Sequence, residues 1–181
     1  NKLEPGEPIQ LPWGAEIFGI TSILDNKETP LFVTLSGTGQ LQGQRVDGTK
    51  LWESAKPFGG SHLNFSRRDH SGGTRAEVLP VNIKPRLERI EEHIILVPLN
   101  EGGGMYNFFT DRGPGRVVAM QWDGQFLREI WHTQPQNGYL ADFRYEDIDN
   151  DGRKEVIKLI NFSRSGILKE GRASLIVYEI N

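Results

Sequence analysis

The sequence predicts an all-β protein built from repeated antiparallel four-stranded units, and three observations carry that reading. The 181 residues include 21 glycines and 10 prolines, with helix-favouring runs nearly absent. That composition favours many short strands joined by turns. A strand, an Asp-Gly turn and a second strand occur over residues 39–53 and return 76 residues later over 115–131. Finally, the acidic stretch Asp147-Ile148-Asp149-Asn150-Asp151-Gly152-Arg153-Lys154-Glu155 leads straight into an apolar run over 156–160.

In chain order, residues 1–14 carry three prolines and read as an extended lead-in. A first repeat spans 15–57. Its strands are expected at 16–23 and 30–35, with the turn Leu24-Asp25-Asn26-Lys27-Glu28 between them. The Asp47-Gly48 hairpin and Trp52 complete this unit. Asp-Gly is a preferred two-residue hairpin turn, in which both positions take positive φ. Residues 58–89 break the rhythm and read as an insertion or inter-repeat connection, exposing Arg67, Arg68, His70 and Arg75 on a solvated loop. The second repeat covers 90–134, with strands expected at 94–97 and 106–110, a turn at Gly102-Gly103-Gly104, and the Asp123-Gly124 hairpin before Trp131. The third repeat runs over 139–181, through the acidic loop, and stops where the earlier copies reach Asp-Gly. Repeats on this scale imply a propeller or a solenoid.

The acidic loop is a candidate calcium site. Aspartates at positions 1, 3 and 5, glycine at 6 and glutamate at 9 set hard oxygen ligands around a tight turn. Asp147, Asp149, Asp151 and Glu155 offer carboxylates, and Arg153 offers its carbonyl. Ca²⁺ is the predicted cofactor. A helical calcium hand would need a helix next and a bidentate Glu at position 12, yet Lys158 stands there among strand formers. The loop therefore pins a strand rather than opening a helix pair. Ser22, Leu24 and Asn26 hold the corresponding places in the first repeat, a degenerate copy without the carboxylates.

Other chemistry finds less support. The chain has no cysteine, which excludes disulfides, thiolate metal sites and cysteine nucleophiles. Its net charge of −3, without a basic stripe, gives no reason to expect nucleic acid or an anionic membrane. No stretch is long enough to insert through a bilayer as a helix. His62, His70, His93 and His132 form no close-spaced metal motif, and no catalytic residues can be picked out. Trp13, Trp52, Trp122 and Trp131 could stack on sugars, but repeat positions favour packing between units. The triplets at 64–66 and 161–163 satisfy the N-glycosylation pattern, which is short enough to arise by chance.

With these residues in hand, the chain resembles the FG-GAP or VCBS family of β-propeller repeats, found in integrin alpha-subunit heads and in many bacterial surface proteins. Asp147, Asp149, Asp151, the Arg153 carbonyl and Glu155 match its calcium motif position for position. The segments VDGTKLW at 46–52 and WDGQFLREIW at 122–131 resemble the outer strand pairs of its blades. The resemblance implies four-stranded antiparallel blades, calcium between the first two strands of a blade, and an extracytoplasmic location: secreted, cell-surface or periplasmic. It is silent on activity.

Propellers close with four or more blades, whereas this sequence supplies about three, the last without its outermost strand. The expectation is an incomplete propeller, completed by a protein partner or by further polypeptide; the start at Asn1 also suggests a leader or upstream segment. Two classes of function follow. The first is a non-catalytic, calcium-stabilised module for protein interaction or assembly of a larger surface or filament protein. The second is a polysaccharide-binding module or polysaccharide lyase on the same scaffold.

Overall fold

The computed structural model describes residues 4–8, 11, 15–59, 64–69, 77–82, 85–101, 113–162 and 172–180. Among them every element is a β-strand. Sheet 1 comprises β1 (Ile20–Leu24), β2 (Pro30–Leu35), β3 (Leu41–Arg45) and β4 (Lys50–Glu53), in that order and antiparallel throughout. A separate hairpin follows, β5 (Asn64–Asp69) with β6 (Glu77–Asn82). Sheet 2 contains β7 (Glu88–Glu91), β8 (Ile94–Asn100), β9 (Gly115–Trp122) and β10 (Leu127–His132), again a simple meander. Sheet 3 has three strands, β11 (Tyr139–Glu146), β12 (Glu155–Phe162) and β13 (Arg172–Glu179). The result is an all-β fold of three antiparallel sheets that do not close, a partial propeller-like arrangement.

The sheets stack face to face because alternate residues along a strand point to opposite sides. Leu31, Val33, Leu35 and Leu41 of sheet 1 pack against Ile95, Val97, Val118 and Met120 of sheet 2. The other face of sheet 2, with Ile94, Leu96, Val117 and Ala119, packs against Leu140, Phe143, Val156 and Ile160 of sheet 3. Sheet 2 is thus the middle layer, which explains why all seven residues of β8 are buried. The innermost strands β1, β7 and β11 carry the contacts between successive sheets.

That double burial corrects the strand order expected for the second repeat. Ile94–Asn100 is its second strand, paired with Glu88–Glu91 on one edge and Gly115–Trp122 on the other. The real first strand, Glu-Arg-Ile-Glu, is an edge with three charged residues, so its apolar signal is weak. The connection between these two strands is only Glu92–His93. The strand expected at 106–110 and the Gly102–Gly104 turn lie outside the described residues. Arg67 and Arg68, expected on a loop, lie on β5, which pairs with β6 through the register Arg67↔Leu79 and Arg68↔Val78. His70 and Arg75 lie outside the described residues. The residues flanking this hairpin are anchored, Phe58 and Leu87 being buried in the core between sheets 1 and 2.

The Asp47-Gly48 hairpin also differs from expectation. Asp47 keeps negative φ while Gly48 takes φ 87°, and the Gly48 amide donates to Arg45 O at 3.0 Å. This is a type I turn closed by a left-handed residue rather than a two-residue turn with two positive φ values. The Asp47 carboxylate accepts from the Thr49 amide at 2.9 Å, which holds the aspartate inside the turn. The same pattern closes the other two hairpins of sheet 1, with Gly39 at φ 87° and Glu28 at φ 58° in the left-handed position. Glycine takes that conformation without steric cost; glutamate does not. Glu28→Gly should therefore raise unfolding free energy by about 0.5–1 kcal/mol, read from urea midpoints; a loss of stability would contradict the strain at this residue.

Candidate metal centre

The acidic loop joins β11 to β12, and its length sets it apart. Glu146 pairs with Glu155, leaving eight residues, 147–154, between the strands. The corresponding connection in sheet 1, between Leu24 and Pro30, has five residues, and that in sheet 2, between Glu91 and Ile94, has two. Only the longest gives three aspartates room to turn inward. Carboxylate oxygens of Asp147, Asp149 and Asp151 lie within 4.8 Å of one another.

The backbone explains how they converge. The Asp151 amide donates to Asp147 Oδ1 at 3.1 Å and to Asp149 Oδ1 at 3.2 Å. The Gly152 amide donates to Asp147 Oδ2 at 2.9 Å, and the Arg153 amide to Asp151 Oδ1 at 2.8 Å. Asn150 at φ 62° and Gly152 at φ 89° supply two left-handed corners, geometry that asparagine tolerates and glycine favours. These amides orient the carboxylates, yet three anions in so small a space still repel one another. Two ligands on opposite sides of a calcium ion, each at 2.3–2.6 Å, stand about 5 Å apart, so the observed span fits such an ion. The donor set, hard oxygens alone, suits a divalent cation of the calcium or magnesium kind.

Three of the five predicted ligands are thus gathered. Glu155 opens β12, is buried, and accepts from the Ile148 amide through Oε2 at 3.0 Å. It ties the second residue of the loop to the strand base. Arg153 donates its amide to Asp151 Oδ1, which anchors the peptide unit just before the one whose carbonyl is the expected ligand. In the first repeat, Asp25 uses its Oδ1 to accept from the amides of Lys27 at 2.7 Å and Thr29 at 2.9 Å. Those two bonds hold its carboxyl below the usual range. Its five-residue loop is closed by these bonds together with two backbone ones, Asp25 N to Thr29 O and Glu28 N to Asp25 O, each 2.9 Å.

The other candidates fall into place as packing or surface groups. Trp52 packs against the core between sheets 1 and 2, Trp122 is buried in it, and Trp131 packs against the core between sheets 2 and 3. Trp13 lies outside the described residues, as does His62. His93 sits in the β7–β8 turn with Nδ1 at 2.8 Å from Leu24 O, and His132 Nδ1 pairs with Glu129 at 2.7 Å on the surface. No pair of these histidines meets among the described residues.

Two features escaped sequence reasoning. Asn100, at the end of β8, donates through Nδ2 to Gly59 O at 3.2 Å and to Leu140 O at 3.1 Å, and accepts from Leu140 N at 2.8 Å. It stitches the segment after sheet 1 to sheets 2 and 3. Lys158 is fully buried between sheets 2 and 3, donates from Nζ to Gln134 O at 2.9 Å, and lies 4.7 Å from the Tyr178 ring centroid. Burial pushes its pKa below the ordinary value, against the opposing pull of Tyr178.

A depressed lysine pKa means that the unfolded chain binds more protons across the window between the folded value and the ordinary value of 10.5. Stability should therefore rise as pH climbs through that window, and Lys158→Met should flatten the rise. Thermal melts at alkaline pH check this; an identical slope in the variant would contradict it.

These observations define an all-β chain of three repeated sheets with an acidic loop able to hold a divalent cation. Compared with family models, with curated proteins and with solved structures, the chain matches none.

Proposed function

We propose that the chain is a non-catalytic, calcium-stabilised module of the FG-GAP or VCBS propeller type, which works by joining another protein or further polypeptide in a larger extracytoplasmic assembly. The observation that supports this reading most directly is the long β11–β12 loop with its three converging aspartates. Calcium at a loop of this kind binds at about 10⁻⁴–10⁻³ M in extracellular modules, a concentration found outside cells rather than in cytosol. No helix among the described residues is long and apolar enough to cross a membrane.

The assembly role is supported by the unfinished end of the stack. Leu175 is 67% exposed and Val177 46% exposed on the face of sheet 3 turned away from sheet 2. Adjacent apolar side chains left in water on a strand edge favour association. The polysaccharide reading has less behind it, because the described tryptophans serve the inter-sheet cores.

The test is association in calcium-containing buffer. The chain should self-associate or bind a hydrophobic dye, and Leu175→Glu with Val177→Arg should suppress both. A dye-silent monomer of 20.4 kDa would overturn the assembly role.

A further inference from the structure

Asparagine is among the chemically labile side chains, and its loss through a cyclic imide needs three conditions together. The side chain must be exposed, the next residue must not crowd its own amide, and that amide nitrogen must be free to attack. Asn137-Gly138 is the one Asn-Gly pair in the sequence, and glycine has no Cβ to crowd the nitrogen. The pair lies in the connection between β10 and β11, with Asn137 exposed. Among the described residues, neither the Asn137 side chain nor the Gly138 amide makes a hydrogen bond.

Other asparagines fail at least one condition. Asn26 and Asn150 are exposed, but the Lys27 amide donates to Asp25 Oδ1 at 2.7 Å and the Asp151 amide to Asp147 Oδ1 at 3.1 Å. The Asn100 side chain is buried in its three bonds, and the Glu101 amide donates to Pro114 O at 3.3 Å. Asn161 stands within β12, ahead of the bulky Phe162.

We propose that Asn137 is a self-modification site, where the Gly138 nitrogen attacks the Asn137 side chain and the isoaspartyl product loosens the junction of sheets 2 and 3. Solvent base removes the Gly138 amide proton, the nitrogen bonds to Asn137 Cγ, and ammonia leaves with a proton taken from water. Water then opens the five-membered ring. Breaking the Cγ–N bond restores the ordinary main chain and leaves an aspartyl carboxylate. Breaking the bond from nitrogen to the main-chain carbonyl carbon sends the chain through Cβ and Cγ, lengthening it by one atom.

That extra atom falls where the chain has no slack. Gln136 O and Gly138 O both accept from the Gly115 amide at 3.0 Å, and the Gln136 amide donates back to Gly115 O at 3.1 Å. Position 137 is thus bracketed by two residues that hold the same partner. Gly138 cannot shift toward β12, since a Cβ on it would already stand 2.6 Å from Ile160 Cγ2 and 3.1 Å from Asn161 O. The Gln136 side therefore gives way. It carries the bond from Gln136 Nε2 to Tyr178 Oη at 3.3 Å, and Gln134 O nearby receives Lys158 Nζ.

The experiment holds the 181-residue chain for days in calcium-containing buffer, at mildly alkaline and at mildly acidic pH, and maps its peptides by mass spectrometry. Amide loss at position 137 should run at least tenfold faster than at Asn26 or Asn150, and faster in the alkaline buffer. Asn137→Gln should remove it without altering the thermal transition. The isoaspartyl fraction, isolated by chromatography, should melt below the unmodified chain. Asn137→Asp, with the same added charge on an ordinary main chain, should melt with the unmodified chain. Loss at position 137 no faster than at Asn26, or seen only after denaturation in urea, would overturn the proposal. So would an isoaspartyl fraction that melts like the Asn137→Asp variant.

Discussion

Asn100→Ala should destabilise the chain by about 3–5 kcal/mol, more than any surface substitution. The side chain is buried and makes three hydrogen bonds that bridge separate parts of the stack. Truncation leaves the Leu140 amide and carbonyl and the Gly59 carbonyl short of a partner. Each buried group so orphaned costs about 1–3 kcal/mol, although the Gly59 carbonyl retains the Asn100 amide at 3.2 Å. Close packing nearby prevents an easy repair: a Cβ on Gly115 would stand 2.6 Å from Leu140 N and 2.9 Å from Asn100 Oδ1. A midpoint lower by about 6–20 °C is expected for a domain of this size. His132→Ala, which removes an exposed pair, is the control and should stay within about 0.5 kcal/mol. A cost for Asn100→Ala below about 1 kcal/mol would show that the sheets are held by apolar packing alone.

Calcium should raise stability by about 2.7 kcal/mol when its free concentration is a hundredfold above the dissociation constant, because an ion that binds only the folded loop stabilises by linkage. The increase arises where three like charges now repel. It should appear as a midpoint higher by about 5–11 °C, and as slower amide exchange at Asp151, Gly152 and Arg153, whose amides already bond the carboxylates. Asp149→Ala should lose the calcium-dependent rise. Magnesium, smaller and reluctant to shed water, should give a weaker effect at equal concentration. A midpoint indifferent to calcium in the unaltered chain would remove the cation from the account.

Much of the architecture was legible because strand periodicity and turn chemistry are local. Sheet 3 follows the expected strands closely and β2 spans Pro30–Leu35 as expected, but β1, expected over 16–23, begins only at Ile20 because residues 16–19 turn, the Gly19 amide donating to Glu16 O at 2.9 Å. The acidic loop was legible for the same reason: spacing along the chain became proximity in space. The order of strands in sheet 2 was not, since the buried run at Ile94–Asn100 owes its apolarity to contact on both faces, a fact of stacking. Asn100 carried no local signal either, because its partners are 40 and 41 residues away. Lys158 looked like one polar residue in an apolar strand; its burial depends on the face that β12 turns toward sheet 2. Glu155 illustrates both sides. Its position in the motif was readable, while its bond to the Ile148 amide emerges only from the folded loop.

We propose that Asp147, Asp149 and Asp151 hold calcium and thereby fix the entry to β12. Calorimetric titration of calcium into the chain and into its Asp149→Ala variant tests it most directly. One site per chain is expected, with a dissociation constant of about 10⁻⁴–10⁻³ M, lost or weakened at least tenfold in the variant. Equal binding by the two proteins, or no binding by either, would contradict it.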